Sequence, residues 1–336
     1  MDNEFLKGTL ARLCLPILAA VLTLALTTAR PAFARSQAIL AEGGTTDSFG
    51  DTGHIVIGGL IVTKGDTTSS LHITIAYEDN FIGEGSPLNS FICTLTNPAD
   101  LVISGGPPVQ SATLTISAAG DTCFQTLFPL VTFSNVGRSL SFRAYTIGSH
   151  THFKSTGSTL KDHFGDIVGN VAILGELEPA GSGSDQASGD RFITGFGGAV
   201  DTDDSGSPSG HMAMAGLIHL NPLKKGETTG TTKALDVTID YEDFSGSQHL
   251  ACHLTSPGDV SYTLGAVTKG VGTLTITVSS VGECNVDNTG KKMVFALYVG
   301  GSTGRIVSTF STLVDSDLDV INAPAVAGEF STAGGS

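Results

Sequence analysis

Apolar and polar residues alternate along most of the chain beyond its first 34 residues. In Leu71–Glu78 and again in Leu235–Glu242, every second side chain is apolar, and the side chains between them are polar or small. A period of two buries one face of a β-strand and leaves the other face to solvent. Amphipathic helical spacing of useful length does not occur in this part of the sequence. The pattern therefore predicts an all-β protein of antiparallel strands.

The motifs along the chain occur twice in the same order. Cys93–Asp100 returns as Cys252–Asp259, and the segment before His54 has its counterpart before His211. A repeat of this length is too long for a solenoid unit, because each solenoid unit depends on its neighbours for a core. We therefore predict two tandem homologous domains, each folded as an antiparallel, Ig-like β-sandwich with one disulfide.

The predicted domain boundaries follow from composition. A Gly- and Ser-rich stretch at 181–189 is typical of a flexible linker. It separates a first domain, residues 35–180, from a second domain, residues 190–336. Residues 1–34 precede both domains, and we expect them to be removed as a signal peptide.

The signal-peptide prediction depends on three features of residues 1–34. Lys7 and Arg12 precede an apolar run from Leu13 to Leu26, and Ala32-Phe33-Ala34 is a small-x-small cleavage site. A non-cleaved membrane anchor is the alternative, but the run of about 14 residues is shorter than the roughly 20 that span a bilayer. We therefore expect a mature chain without a transmembrane anchor that is secreted, periplasmic or on the cell surface.

Four cysteines remain after the signal peptide, two in each repeat and at equivalent places. Export permits disulfides, and duplication implies that each repeat can close its own bridge. We predict the pairs Cys93–Cys123 and Cys252–Cys284. A zinc site made of these thiols is the alternative, but neither pair has the close CxxC spacing of such sites.

The formal net charge of −15 gives the protein an acidic surface. Phosphate backbones and anionic membranes attract clusters of Lys and Arg, and an acidic protein repels them. We therefore expect no nucleic-acid partner.

A calcium site is the first candidate for binding chemistry. Asp201, Asp203 and Asp204, followed by Gly206, resemble the opening of a calcium loop, because alternate carboxylates before a glycine can wrap a hard cation. The match ends at the twelfth position, where Met212 stands in place of Glu. The alternative is an acidic turn between strands. The counterpart in the first repeat, residues 46–51, carries fewer acids, so we expect any ion site to belong mainly to the second repeat.

Histidines supply a second set of candidates. His150 and His152 lie two residues apart and would share one face of a strand, as zinc or copper ligands do. His249 and His253, on either side of Cys252, lie four residues apart and would also share one face of a strand. The alternative in both cases is an exposed polar position, and the second repeat has no histidine where the first has His150 and His152.

The Tyr-Glu-Asp motif at residues 77–79 and 241–243 is the best candidate for chemistry that both repeats share. Adjacent carboxylates on a strand point to opposite faces, however, which is poor geometry for an acid–base pair. We expect the tyrosine to be buried, the glutamate to be solvated and the aspartate to begin a turn. Hydrolase, zinc-protease and nucleotide-binding motifs are absent from the sequence.

These observations predict an exported, non-enzymatic structural or adhesive protein that meets protein partners, or copies of itself, through exposed β edges. A Ca²⁺- or small-ligand-binding secreted module is the alternative; apart from that Ca²⁺, we expect no cofactor. An enzyme with a site assembled from distant loops is a third hypothesis. The arm at residues 35–53 either pairs with another chain or folds as the first strand of its own domain.

Overall fold

The structure is a computed structural model, and contacts divide it into residues 1–34 and a second compact unit, residues 35–336, which contains both repeats. The described residues are 34–48, 52–64, 67–79, 90–106, 108–117, 122–125, 134–147, 150–162, 165–180, 189–200, 209–224, 227–243, 249–264, 270–280 and 282–332. The predicted signal peptide lies outside these ranges except for Ala34. The predicted linker lies outside them except for Gly189.

The described residues form twenty β-strands and two single-turn 3₁₀ segments, with no α-helix. The first repeat contains β1 (Ala34–Thr46), β2 (Thr52–Lys64), β3 (Thr67–Asp79), β4 (Phe91–Leu95), β5 (Leu101–Ser104), β6 (Val109–Thr115), β7 (Thr122–Gln125), β8 (Ser139–Ile147), β9 (His150–Ser158) and β10 (Asn170–Ala180). The second repeat contains β11 (Gly189–Val200), β12 (Ser209–Leu220), β13 (Thr229–Asp243), β14 (His249–Leu254), β15 (Val260–Leu264), β16 (Val271–Thr277), β17 (Glu283–Cys284), β18 (Lys292–Gly300), β19 (Thr303–Ser311) and β20 (Asn322–Thr332). The all-β prediction is confirmed.

Each repeat forms one ten-stranded sheet with the same strand order. In the second repeat, β12 pairs with β13 and β13 pairs with β15, so eight strands close into a barrel from which β14 and β17 extend. In the first repeat, the corresponding ring is open between β3 and β5, and β5 ends the sheet. The first repeat is therefore the same barrel with one seam unpaired.

This architecture differs from the predicted Ig-like sandwich. Each repeat buries one face of a single curled sheet, whereas a sandwich buries the facing sides of two sheets. Many of the strands are 9 to 15 residues long, and strands of that length twist enough to curl a sheet around its own core. The two interiors hold separate apolar clusters, one per repeat.

Both predicted disulfides are present, Cys93–Cys123 and Cys252–Cys284. They join β4 to β7 and β14 to β17 at paired positions of the sheets. Disulfides are typical of an oxidising, extracytoplasmic environment. Among the described residues, no helix is long and apolar enough to span a membrane.

The N-terminal arm belongs to its own sheet. Residues 36–46 of β1 pair continuously with residues 170–180 of β10, and β1 also neighbours β2. The hypothesis that this arm pairs with another chain is therefore wrong, because its hydrogen-bonding groups already meet β10 and β2. The alternative, a first strand of its own domain, is confirmed for these residues.

The two repeats share a buried junction. One apolar cluster there draws members from both repeats: Val56, Ala76, Ile92, Val307, Ala325 and Ala327. A second cluster joins Leu60 and Ala180 to Tyr298. The Tyr298 hydroxyl lies 2.6 Å from the Thr74 hydroxyl, and burial raises the pKa of Tyr298 to about 12. The junction is therefore packed like a protein core, and the Tyr298 phenol within it is neutral.

Arg305 adds a charged contact to the same junction. Its side chain is fully buried. One guanidinium nitrogen, Nη2, lies 2.8 Å from Glu178 and 3.3 Å from Glu176 of the first repeat, and Nη1 lies 3.5 Å from Glu329 of the second. One cation thus joins carboxylates of both repeats.

We expect Leu318→Gly to stabilise the protein by roughly 1 kcal/mol, because a β-carbon is strained at positive φ. Leu318 has a φ of 76° and is 65% exposed, so little packing is lost with its side chain. The first repeat has Gly165 at the matching position, with a φ of 94°. Thermal unfolding of the variant measures the gain. A lower melting temperature would contradict the strain argument.

Candidate functional site

The calcium-loop residues predicted from sequence, Asp201, Asp203 and Asp204, lie outside the described residues. The structure instead describes the matching region of the first repeat. There, Asp47 follows β1 and meets Asp162 and Asp166, which lie between β9 and β10. One carboxylate oxygen from each of the three lies within 4.8 Å of the others.

This acidic cluster of Asp47, Asp162 and Asp166 is held by local hydrogen bonds. Asp162 Oδ1 accepts the Asp166 N–H at 2.8 Å. Asp166 Oδ1 accepts the Ser48 hydroxyl at 3.4 Å, and the Ser48 oxygen in turn accepts the Ile167 N–H at 3.1 Å. Asp47 and Asp162 are buried. Clustered carboxylate oxygens are the ligands that a hard cation such as Ca²⁺ prefers.

The second repeat places acids at the matching turn. Asp315 is fully buried, and its Oδ1 accepts the N–H groups of Asp317 and Asp319 at 3.0 and 3.2 Å. Its Oδ2 has no hydrogen-bond partner among the described residues. Burial raises the pKa of the Asp315 carboxyl, and the charge of Asp243 raises it further.

Sequence reasoning missed Asp162 and Asp166, although a signal was present. Residues 158–176 repeat as residues 311–329, with aspartates at two matching positions. Only the loop after β11 and its counterpart after β1 were considered as ion loops. The turn that completes the cluster comes from a distant part of the chain.

The histidines predicted as metal ligands do not come together in the described residues. His152 is exposed on β9. His253 Nε2 lies 2.9 Å from Asp236, and His219 Nδ1 lies 2.6 Å from Asp190. These last two are exposed imidazole–carboxylate pairs on the outer face of the second sheet, where such pairs contribute little to stability.

A different histidine, His54 on β2, lies at the junction between the repeats. Its Nδ1 is 2.7 Å from Glu78 Oε1 on the neighbouring strand β3. Glu78 is fully buried, and its second oxygen, Oε2, has no hydrogen-bond partner among the described residues. The expectation that Glu78 is solvated is therefore wrong, because the second repeat covers it.

The covering group is the backbone of β11. A side chain at Gly198 would overlap both Glu78 Oε1 and His54 Nδ1, so any larger residue there would displace this pair. The matching glutamate of the second repeat, Glu242, is exposed. Tyr77 and Tyr241 are both buried, as predicted.

The charges of this pair are coupled. The hydrogen bond that His54 donates to the Glu78 carboxylate raises the pKa of His54, while burial opposes that rise. Burial raises the pKa of Glu78, and His54 partly offsets the rise. The pair therefore holds a proton in the folded state at a pH where the unfolded chain has released it.

We expect this coupling to make stability fall as pH rises. The unfolded groups titrate near 4.5 and 6.5, and both folded pKa values are higher. The stabilisation is thus present below the unfolded values and is lost as pH rises through the folded ones. Chemical denaturation between about pH 5 and pH 8 should show the wild type losing stability relative to His54→Asn/Glu78→Gln.

The matched control replaces the exposed pair His219 and Asp190 with uncharged residues. The dependence of its stability on pH should stay close to that of the wild type, because solvent screens the pair. Parallel profiles for the wild type and the His54→Asn/Glu78→Gln variant would contradict the coupling.

His211, the repeat counterpart of His54, faces it across the junction. The two ring centres are 5.4 Å apart with planes at 73°. Phe196 of β11 stacks on the other side of His211, with centres 5.6 Å apart and planes at 15°. Burial lowers the pKa of His211, and the nearby His54 lowers it further.

Two clefts lie near the histidine pair, the first within the first repeat and the second between the repeats. The first, of about 670 Å³, is lined by His54 and by small polar groups including Thr45, Thr46, Thr52 and Ser155. The second, of about 480 Å³, is lined by residues that include Glu42, His152, Glu176, Phe196 and Glu329. His54 therefore lines the first cleft, and Phe196, which stacks on His211, lines the second.

Comparison with known proteins leaves the chain without an assigned family. No family model matches it, and no curated protein matches it. Among solved structures, it is similar to a protein of Nitrosomonas europaea provisionally named AttH, with 10% sequence identity and a TM-score of 0.28 over 89% of this chain and 93% of that one. A TM-score this low supports no inference about fold or function.

Proposed function

We propose that the protein is an exported, non-enzymatic structural or adhesive protein that associates with copies of itself through the open edge of its first sheet. It acts outside the cytoplasm, as a secreted, periplasmic or cell-surface protein. The observation that carries this proposal is the edge position of β5, which pairs with β6 on one side and with no strand of the described residues on the other. An edge strand presents unpaired N–H and C=O groups that another strand can satisfy.

The side chains of this edge favour association. Val102 is 58% exposed and Ile103 is 39% exposed. Val109 of the adjacent β6 and Tyr145 of β8 are further exposed apolar side chains of the same sheet. Natural edge strands are usually protected by charges or proline, and Leu101-Val102-Ile103-Ser104 has neither.

The second repeat indicates what covers such an edge. Its counterpart strand β15 pairs with Thr229–Thr231 of β13. Tyr262 lies over Gly230, where any side chain would collide with its ring, and its hydroxyl donates to Asn221 O at 2.7 Å. Ile103 stands at the place of Tyr262 in the first repeat. In the second repeat, a strand therefore closes the seam that is open in the first.

The proposed occupant is β5 of a second copy, paired antiparallel about a two-fold axis. Such an axis brings the same segment from both chains together, so the contact is self-complementary. The four residues of β5 carry no charge, which allows two copies of a chain with net charge −15 to approach there without direct repulsion.

Sedimentation analysis across a concentration series tests this proposal. The wild type should form dimers, and Ile103→Lys should remain monomeric and folded, because a lysine on an edge strand blocks pairing. Leu174→Lys is the matched control, since Leu174 is 68% exposed on β10 inside the sheet. A wild type that stays monomeric throughout would refute self-association, and a hydrolase screen tests the non-enzymatic part separately.

A Ca²⁺-binding module is the second candidate, and the acidic cluster of Asp47, Asp162 and Asp166 favours it. Calorimetry with calcium chloride should show binding that Asp166→Asn weakens and that the exposed control Asp287→Asn leaves unchanged. An Asp201→Asn/Asp203→Asn variant tests the loop predicted from sequence. Heat of binding that no aspartate variant changes would refute both sites.

A further inference from the structure

The two repeats bring equivalent histidines face to face, and the geometry of that contact fits a metal ion. A zinc ion lies about 2.0–2.1 Å from each imidazole nitrogen in proteins. Two rings on one tetrahedral ion therefore have centres roughly 5 Å apart. The ring centres of His54 and His211 are 5.4 Å apart. This spacing suits a shared ion with small side-chain adjustments.

A neighbouring side chain orients each of the two imidazole rings. His54 Nδ1 bonds to Glu78 at 2.7 Å, and its Nε2 has no hydrogen-bond partner among the described residues. Metal-binding histidines characteristically use one ring nitrogen for the metal and the other for a carboxylate or carbonyl. Phe196 fixes the plane of His211 by stacking. The two imidazoles are therefore oriented before any ion arrives.

Glu78 places a buried carboxyl group directly behind His54. Its carboxyl is fully buried, and Oε2 has no hydrogen-bond partner among the described residues. Burying an ionised carboxylate is costly unless a positive charge lies close by. A divalent ion on His54 would place that charge one imidazole away. Glu42, which is close enough to raise the pKa of His54 by its charge, adds to the negative potential.

We propose that His54 and His211 together bind a divalent transition-metal ion, such as Zn²⁺ or Cu²⁺, at the junction of the two repeats. Imidazole is a preferred ligand of both ions. Water from the adjoining clefts completes the coordination. Glu78 is a positioning residue that orients His54 and increases its basicity. The ion would also tie β2 of the first repeat to β12 of the second.

Calorimetry with zinc chloride on the mature protein tests the site. The wild type should bind one ion per chain at the junction, and His54→Ala and His211→Ala should each weaken that binding by about tenfold or more. Glu78→Gln should weaken it by about tenfold, since loss of a carboxylate behind a histidine ligand costs that much. Circular dichroism on every variant verifies that the fold is retained.

His219→Ala is the matched control, because His219 also pairs with a carboxylate but faces no second imidazole in the described residues. It should bind zinc as the wild type does. Electron paramagnetic resonance of the Cu²⁺ form gives a second readout, with hyperfine splitting from two imidazole nitrogens expected and from one in either histidine variant. Zinc binding that survives both histidine variants, or that depends on only one of the two rings, overturns the proposal.

Discussion

Arg305→Ala should destabilise the protein by about 2–4 kcal/mol. Removing one partner of a buried ion pair typically costs about 3–5 kcal/mol. We expect a loss around or below the lower end of that range, because Glu176, Glu178 and Glu329 are 32%, 34% and 45% exposed and solvent screens their charges. The change also leaves a cavity at a fully buried position. Urea denaturation measures the loss.

Two variants accompany this experiment. Arg305→Lys keeps the charge but loses the planar fork that reaches carboxylates of both repeats, so we expect an intermediate loss. Lys292→Ala removes an exposed cation that lies 5.6 Å from the Phe310 ring centre and should change stability by less than about 0.5 kcal/mol. If Arg305→Ala behaves like Lys292→Ala, Arg305 does not join the repeats energetically.

Removing either disulfide should cost about 3–4 kcal/mol. The bridges span 30 and 32 residues, so the chain-entropy argument predicts nearly equal effects. Alanine is the suitable replacement, because Cys93 and Cys252 are buried and a serine hydroxyl would lack a partner there. Because both repeats share the junction, we expect a single unfolding transition that shifts whichever pair is replaced.

Thermal unfolding of these disulfide variants also tests the predicted division into two domains. Cys93→Ala/Cys123→Ala and Cys252→Ala/Cys284→Ala are matched controls for one another. Two separate transitions, of which each variant moves only one, would show that the domains unfold independently and that the junction adds little. Calorimetric and spectroscopic melting curves that coincide would support one cooperative unit.

The strands and the disulfides could be predicted because their signals are local or duplicated. Period-two alternation identifies β3 and β13 as strands whatever the arrangement of the sheets. The duplication indicates which cysteines pair. The alternation does not say whether a buried face meets a second sheet or curls around its own core. That choice depends on strand length and on a few contacts such as Tyr262 with Gly230, which no periodicity reports.

The junction could not be predicted for a related reason. Glu78 occupies the outward position of a half-buried strand, and its pattern alone indicates a solvated side chain. The close approach of Gly198 from the other repeat buries it. Similarly, Asp166 completes the acidic cluster only because β10 lies beside β1. Contacts between distant parts of the chain depend on tertiary packing, which a single sequence without structure does not specify.

Hydrogen–deuterium exchange of β5 at low and high protein concentration tests the central claim most directly. We predict that those amides of Leu101–Ser104 that point away from β6 exchange rapidly in the monomer and become protected as the protein associates, since β5 then pairs with β5 of a second copy. The amides of the counterpart strand β15 serve as the internal control, because they are already paired on both sides. Protection of β5 that is the same at every concentration, or association that leaves β5 exchanging freely, would contradict the account.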